Sequence, residues 1–135
     1  MTGGEVMARV YGKNDGKRLA LPGRISREII CAETGARGVT VRLVEVPPLP
    51  PGETPRGPHV HHGFEECIYV LAGEGVTHAG GKDYPLKPGD TLLVPADEKH
   101  KTMCTSREPL KLVCFFPIAD IRPGTQEFPP STPTG

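Results

Sequence analysis

Apolar residues in this chain come in short bursts separated by glycine and proline. REIIC, VTVRLVEV, ECIYVLAG, DTLLVP and LKLVCFFP are rich in Val, Ile, Leu and Phe, and none exceeds eight residues. Such bursts, bounded by turn residues, are the pattern of an all-β domain. Strands are predicted over Ile25–Cys31, Val39–Val46, His59–His61, Glu66–Ala72, Val76–Ala79, Lys82–Leu86, Thr91–Val94, Lys99–Cys104 and Leu110–Pro117. Met7–Tyr11 (MARVY) reads as a further short strand in an N-terminal arm. Gly73-Glu74-Gly75 and Gly80-Gly81 read as hairpin turns. The proline-rich segment Pro47–Pro58 cannot be a central strand and reads as an extended loop. The organisation expected is an arm over residues 1–24, one barrel domain over 25–122 and a flexible tail over 123–135, whose sequence is nearly free of apolar residues.

Composition narrows the function classes. Gly 17 and Pro 16 make about a quarter of the 135 residues, which excludes a mostly helical protein. Lys+Arg and Asp+Glu balance at 16 each, so no global basic field points to nucleic acid or an anionic membrane. No apolar run reaches the 18 or so residues of a membrane span, and the N-terminus lacks a signal-peptide pattern. Cys31, Cys67, Cys104 and Cys114 show no paired spacing. A reduced, cytoplasmic setting without a structural zinc site is the expectation.

The histidines carry the candidate chemistry. All five fall within residues 59–100: His59, His61, His62, His78 and His100. Positions i and i+2 of a strand face the same way, so His59 and His61 present two imidazoles side by side. Glu66 opens a strand whose same-face residues are Ile68, Val70 and Ala72. A carboxylate on an aliphatic face requires a partner or a metal. With His100, these make three neutral nitrogens and one carboxylate, a set suited to Fe(II), Mn(II), Ni(II), Co(II) or Zn(II). Glu65 could replace Glu66 if the register differed by one, but parity puts it with Cys67, Tyr69 and Leu71.

His59-Val60-His61, Glu66 and Gly73 resemble the first cupin motif, and Gly89, Pro95 and His100 resemble the second. Gly52 lies one residue further upstream than the motif's leading glycine. Asp97 stands where the second motif prefers glycine, and Cys104 where it ends in asparagine. The resemblance covers about residues 38–117. It implies a small double-stranded β-helix, or jelly-roll barrel, of two facing antiparallel sheets, with one divalent metal in its mouth and commonly a homodimer. Gly89-Asp90 resembles the family's turn between sheets.

Beyond the ligand set the residues leave alternatives. His62 has the wrong parity to join His59 and His61, and reads as a rim residue. His78 fits either the pocket or a solvated hairpin. Tyr69 lies opposite the ligand face, which weakens a lyase that uses a tyrosine base. Glu65, His62, His78 and Tyr69 are thus indirect catalytic candidates. Thr102 and Cys104 share a face with His100, and Arg42, Arg56 and Lys101 could meet an anionic substrate. The apolar second face of the Glu66 strand calls for cover by a dimer partner or the arm. With no evident base, a dioxygenase-type oxidoreductase acting on a small oxygenated or anionic molecule is expected first. A non-redox isomerase, lyase or decarboxylase, and a binding module without catalysis, stand beside it.

Overall fold

The computed structural model describes residues 7–135, so the first six residues of the expected arm lie outside the described residues. Among the described residues, eleven strands form two antiparallel sheets: β1 (Lys17–Leu19), β2 (Ile25–Ile30), β3 (Thr40–Val46), β4 (His59–His61), β5 (Glu66–Ala72), β6 (Gly75–Ala79), β7 (Lys82–Leu86), β8 (Thr91–Val94), β9 (His100–Cys104), β10 (Leu110–Phe116) and β11 (Thr125–Glu127). The strand orders are β1-β2-β3-β10-β5-β8 and β11-β4-β9-β6-β7. Among the described residues, helix is limited to two single 3₁₀ turns, at Ala32–Thr34 and Arg122–Gly124. This is the all-β, two-sheet architecture expected from the bursts of apolar residues.

Side-chain alternation decides what each sheet encloses. From β5, Glu66, Ile68 and Val70 point inward, and from β10 so do Leu110, Leu112, Cys114 and Phe116. The apolar ones among them, with Val46, Phe64, Leu86, Val94 and Ile121, form the hydrophobic core. Burying each such side chain stabilises the fold by about 1.5–3 kcal/mol. Several core residues, among them Val46, Ile68, Leu112 and Phe116, also wall a cavity that inward polar residues share.

Turns fix how the ligand-bearing strands meet. Gly73 ends β5 with φ 76, and a Cβ there would lie 2.4 Å from Pro109 O. Only glycine fits this left-handed turn against neighbouring backbone. Asp97 also has positive φ, at 68, the only such non-glycine among the described residues. That explains why glycine is preferred at this position of the motif. Asp97 tolerates the strain because its side chain accepts from Gly63 N at 3.1 Å, while its own N–H donates to His61 O at 2.9 Å.

Two segments differ from expectation. Met7–Tyr11 is not a strand; Val10 is 96% exposed and has no strand beside it. The pairing strand of this region is β1, antiparallel to β2. The segment after Pro123, expected to be a flexible tail, contains β11, which pairs with β4 through Thr125↔His61, Gln126↔Val60 and Glu127↔His59. Beyond it, Phe128 N donates to Pro58 O at 2.9 Å and Gly80 N to Thr134 O at 3.1 Å. An edge strand held by backbone hydrogen bonds needs no apolar residues when its inner side faces a polar cavity.

The outer face of the six-stranded sheet is apolar. Val41, Leu43, Tyr69, Leu71, Leu93 and Phe115 lie on neighbouring strands, with Leu93 57% and Leu71 52% exposed.

Candidate metal centre

Strand pairing brings the four predicted residues together. His59 sits directly opposite His100 across β4 and β9. His61 follows two residues along β4, and Glu66 projects from β5 in the facing sheet. One ligand atom from each of His59, His61, Glu66 and His100 lies within 4.8 Å of all the others, so the cluster could hold a metal ion. His61, Glu66 and His100 are buried, at 4%, 5% and 1% exposure.

The hydrogen-bond directions show what the cluster lacks. Thr125 Oγ1 donates its single proton to the carbonyl of Ile121, at 2.7 Å. It can therefore only accept from His61 Nδ1, 3.0 Å away, so Nδ1 carries the proton. His100 Nδ1 likewise donates to Glu98 O at 2.9 Å. In the neutral rings both Nε2 atoms are then bare lone pairs. Both approach Glu66 Oε1, at 3.2 Å from His61 and 3.1 Å from His100. His61 Nε2 and His59 Nδ1 are buried with no hydrogen-bond partner. Acceptors converging in a buried site are stabilised by a cation between them, either a proton on one ring or a metal ion. A divalent metal fits this donor set.

The protonation tendencies agree. Burial, and then the charge of His100, hold the His59 imidazolium well below its ordinary range, so the ring is neutral, the form a metal would need. Burial raises the Glu66 pKa, but the hydrogen bond with His100 and the proximity of His61 outweigh it and leave a carboxylate. Burial also disfavours a charged His100, yet the hydrogen bond and charge of Glu66 win and its pKa is raised. A raised folded value gives stability that is full below the unfolded pKa of about 6.5 and lost as pH rises through the folded value. Metal must displace that proton. Metal affinity is therefore expected to fall about tenfold per pH unit below the His100 transition. Calorimetric titrations in buffers of different ionisation enthalpy should detect one released proton, and no release would contradict the assignment.

The cluster opens into a cavity of about 240 Å³. Val44, Val46, Ile68, Leu112, Phe116 and Ile121 supply its apolar wall. Four arginines line it: Arg24, Arg42, Arg56 and Arg122. Three are neutralised, Arg24 by Glu127 at 3.1 Å, Arg42 by Glu28 at 2.7 Å and Arg122 by Asp120 at 2.8 Å. Arg56 has no such carboxylate among the described residues. Its Nη2 donates to Thr102 O at 2.8 Å, while its buried Nε has no partner. Burial, helped by the charge of Arg24, lowers its pKa to about 10, which still leaves a cation at neutral pH.

The other predicted residues divide. Thr102 lines the cavity, with its hydroxyl 2.7 Å from that of Thr77. Arg42 lines it too, but is occupied by Glu28. Cys104 is outside the lining; its thiol donates to Glu108 O at 3.1 Å, because β9 has passed from the mouth into the core. Glu65 is exposed, as parity predicts. His62 is exposed beside Asp97 and Gln126, His78 pairs with Asp83 on its hairpin, and Tyr69 lies on the outer sheet face. None of these four lines the cavity. Sequence reasoning missed Arg24, Cys114, Thr125 and Glu127. Cys114 stays a thiol, since burial and the adjacent Glu66 carboxylate push its pKa well up. For Thr125 and Glu127 the available signal was their i, i+2 spacing after the Pro123-Gly124 turn.

Comparison with known proteins places this geometry. Residues 48–116 match the family described as Cupin domain. Over 68 residues the chain is 40% identical to an oxalate-binding protein of Thermotoga maritima, covering 50% of this chain and 55% of that protein. It is 33% identical over 60 residues to an L-ectoine synthase of a Mycobacterium species, covering 43% of this chain and 44% of the other. These alignments span about half of each relative. Among solved structures, Pac13 of Streptomyces, a nucleoside dehydratase, superposes with a TM-score of 0.74 at 14% identity, over 93% of this chain and 95% of the other. That likeness concerns the fold alone. With the motif residues converging as they do and more than half of the sequence matched, the chain belongs to the cupin family.

Proposed function

We propose that this cupin is a metal-dependent enzyme acting on a small organic acid, by non-redox chemistry of the lyase, isomerase or decarboxylase kind. The observation that carries the reading is Arg56, a cavity-lining guanidinium without a carboxylate partner and with an unsatisfied buried Nε. A carboxylate ligand satisfies both its charge and its donor. The name of the oxalate-binding relative supports an acid of this type.

When bound, a divalent ion supplies Lewis acidity at positions left open by its protein ligands. The chain does the rest. Arg56 would hold one carboxylate of the substrate and orient it towards the histidine cluster. The apolar wall excludes water and strengthens that contact. Apart from Glu66, Glu127 is the only carboxylate lining the cavity among the described residues. Its Oε atoms are the candidates for moving a proton, with Arg24 holding the carboxylate in place. The test is turnover of oxalate and a panel of 2-oxo and dicarboxylic acids by metal-reconstituted protein under argon. Conversion without O₂ is expected; conversion only with O₂ would overturn the non-redox reading.

A dioxygenase-type oxidation is the second reading. It is favoured by the position of Glu65, His62, His78 and Tyr69 off the cavity, and by the tie between Glu127 and Arg24. Oxidation at iron(II) asks less of protein acid–base groups. Binding of an acid without turnover in either atmosphere would instead favour the non-catalytic reading.

Self-association through the outer face of the six-stranded sheet is proposed as well, because that face is apolar across four neighbouring strands. Sedimentation at micromolar concentration should give a dimer mass for the wild type and a monomer mass for Leu93→Glu. A monomeric wild type would refute it.

A further inference from the structure

We infer that Thr125, on the C-terminal strand β11, is a positioning residue that locks His61 in its metal-receiving tautomer. The inference rests on reading the cluster as a metal centre. Two directional bonds make the lock. The Thr125 hydroxyl donates to Ile121 O at 2.7 Å, which leaves its oxygen able only to accept from His61 Nδ1 at 3.0 Å. Backbone pairing sets the hydroxyl there, since Thr125 lies opposite His61 in the β11–β4 register. Next to it, His62 N donates to Gly124 O at 2.7 Å, which pins the same turn.

The alternative tautomer shows what the lock prevents. With its proton on Nε2, His61 would donate to Glu66 Oε1, only 3.2 Å away. Two of the four ligands would then satisfy one another, and the lone pair offered to a metal would be spent. Thr125 holds the proton at the far side of the ring and keeps Nε2 bare. The β11 segment is therefore part of the metal centre, although none of its residues belongs to the four-ligand cluster.

Thr125→Val keeps the β-branched shape and removes the acceptor, whereas Thr125→Ser keeps the hydroxyl. The tautomer of His61 is read in metal-free protein by ¹⁵N NMR of the imidazole rings, and Co(II) affinity by calorimetry. In Thr125→Val, His61 is expected to move its proton to Nε2, and Co(II) affinity to fall about 10- to 100-fold, as for loss of other outer hydrogen-bond partners. Thr125→Ser is expected to keep the wild-type tautomer and stay within a few-fold of wild-type affinity. An unchanged tautomer or an unchanged affinity in Thr125→Val overturns the inference, as does Thr125→Ser matching Thr125→Val. Wild-type protein that takes up no Co(II) would refute the metal reading, while the NMR readout would still judge the tautomer lock.

Discussion

His100→Ala is expected to lose divalent-metal affinity by more than the roughly 10- to 100-fold that follows loss of an outer hydrogen-bond partner. The imidazole is fully inside the protein, fixed at Nδ1 by Glu98 O and opposite His59 across the sheet. No imidazole outside the cluster lines the cavity among the described residues, and the nearby Cys114 is held as a thiol by burial and Glu66. Metal should raise the unfolding temperature of the wild type, because an ion that binds only the folded state adds its binding free energy to stability. The variant should show no such rise. Calorimetric titration with Mn(II) or Co(II), paired with thermal unfolding with and without metal, checks both. The metal-free variant should also be destabilised, since Glu66 loses its principal hydrogen-bond partner in a buried site. A variant that keeps wild-type affinity would move the site elsewhere.

Arg56→Leu should weaken binding of a carboxylate ligand about 10- to 100-fold, taking about 1.5–3 kcal/mol for a hydrogen bond to a charged group. Metal affinity should stay near wild type, because Arg56 is not among the four clustered ligands. Oxalate is the probe, measured by calorimetry on metal-loaded protein. Arg56→Lys retains the charge but not the planar fork, so it should recover only part of the loss. Equal oxalate affinity in the wild type and Arg56→Leu would remove the carboxylate subsite and the substrate class that depends on it.

Much of this was legible in the sequence, for identifiable reasons. The strands from Ile25 to Phe116 follow from apolar alternation and from Gly/Pro punctuation, both strong local signals. The ligand cluster follows from strand parity, which puts His59 beside His61 and separates Glu66 from Glu65. What was not legible depends on tertiary pairing. β11 has the polar sequence TQE and looks like a tail, yet its backbone pairs with β4 and its Thr125 and Glu127 reach the cavity. Arg56 sits in a proline-rich loop, and its sequence gives it no stronger claim on an anion than Arg42 or Lys101. Only the fold shows that its neighbours Arg24 and Arg42 are neutralised while it is not. Cys104 was placed by parity with His100, but parity does not say where along a strand the cavity ends and the core begins.

Three imidazoles and one carboxylate are expected to hold a single divalent ion. X-ray absorption at the metal edge of protein reconstituted with one equivalent of Co(II) or Zn(II) tests it most directly. One ion per chain is expected, with a shell of nitrogen and oxygen only, including the outer-ring scattering of three imidazoles. Cys114, buried beside Glu66, is the nearby sulfur that could compete. Sulfur in the shell, fewer than three imidazoles, or no stoichiometric uptake would contradict it.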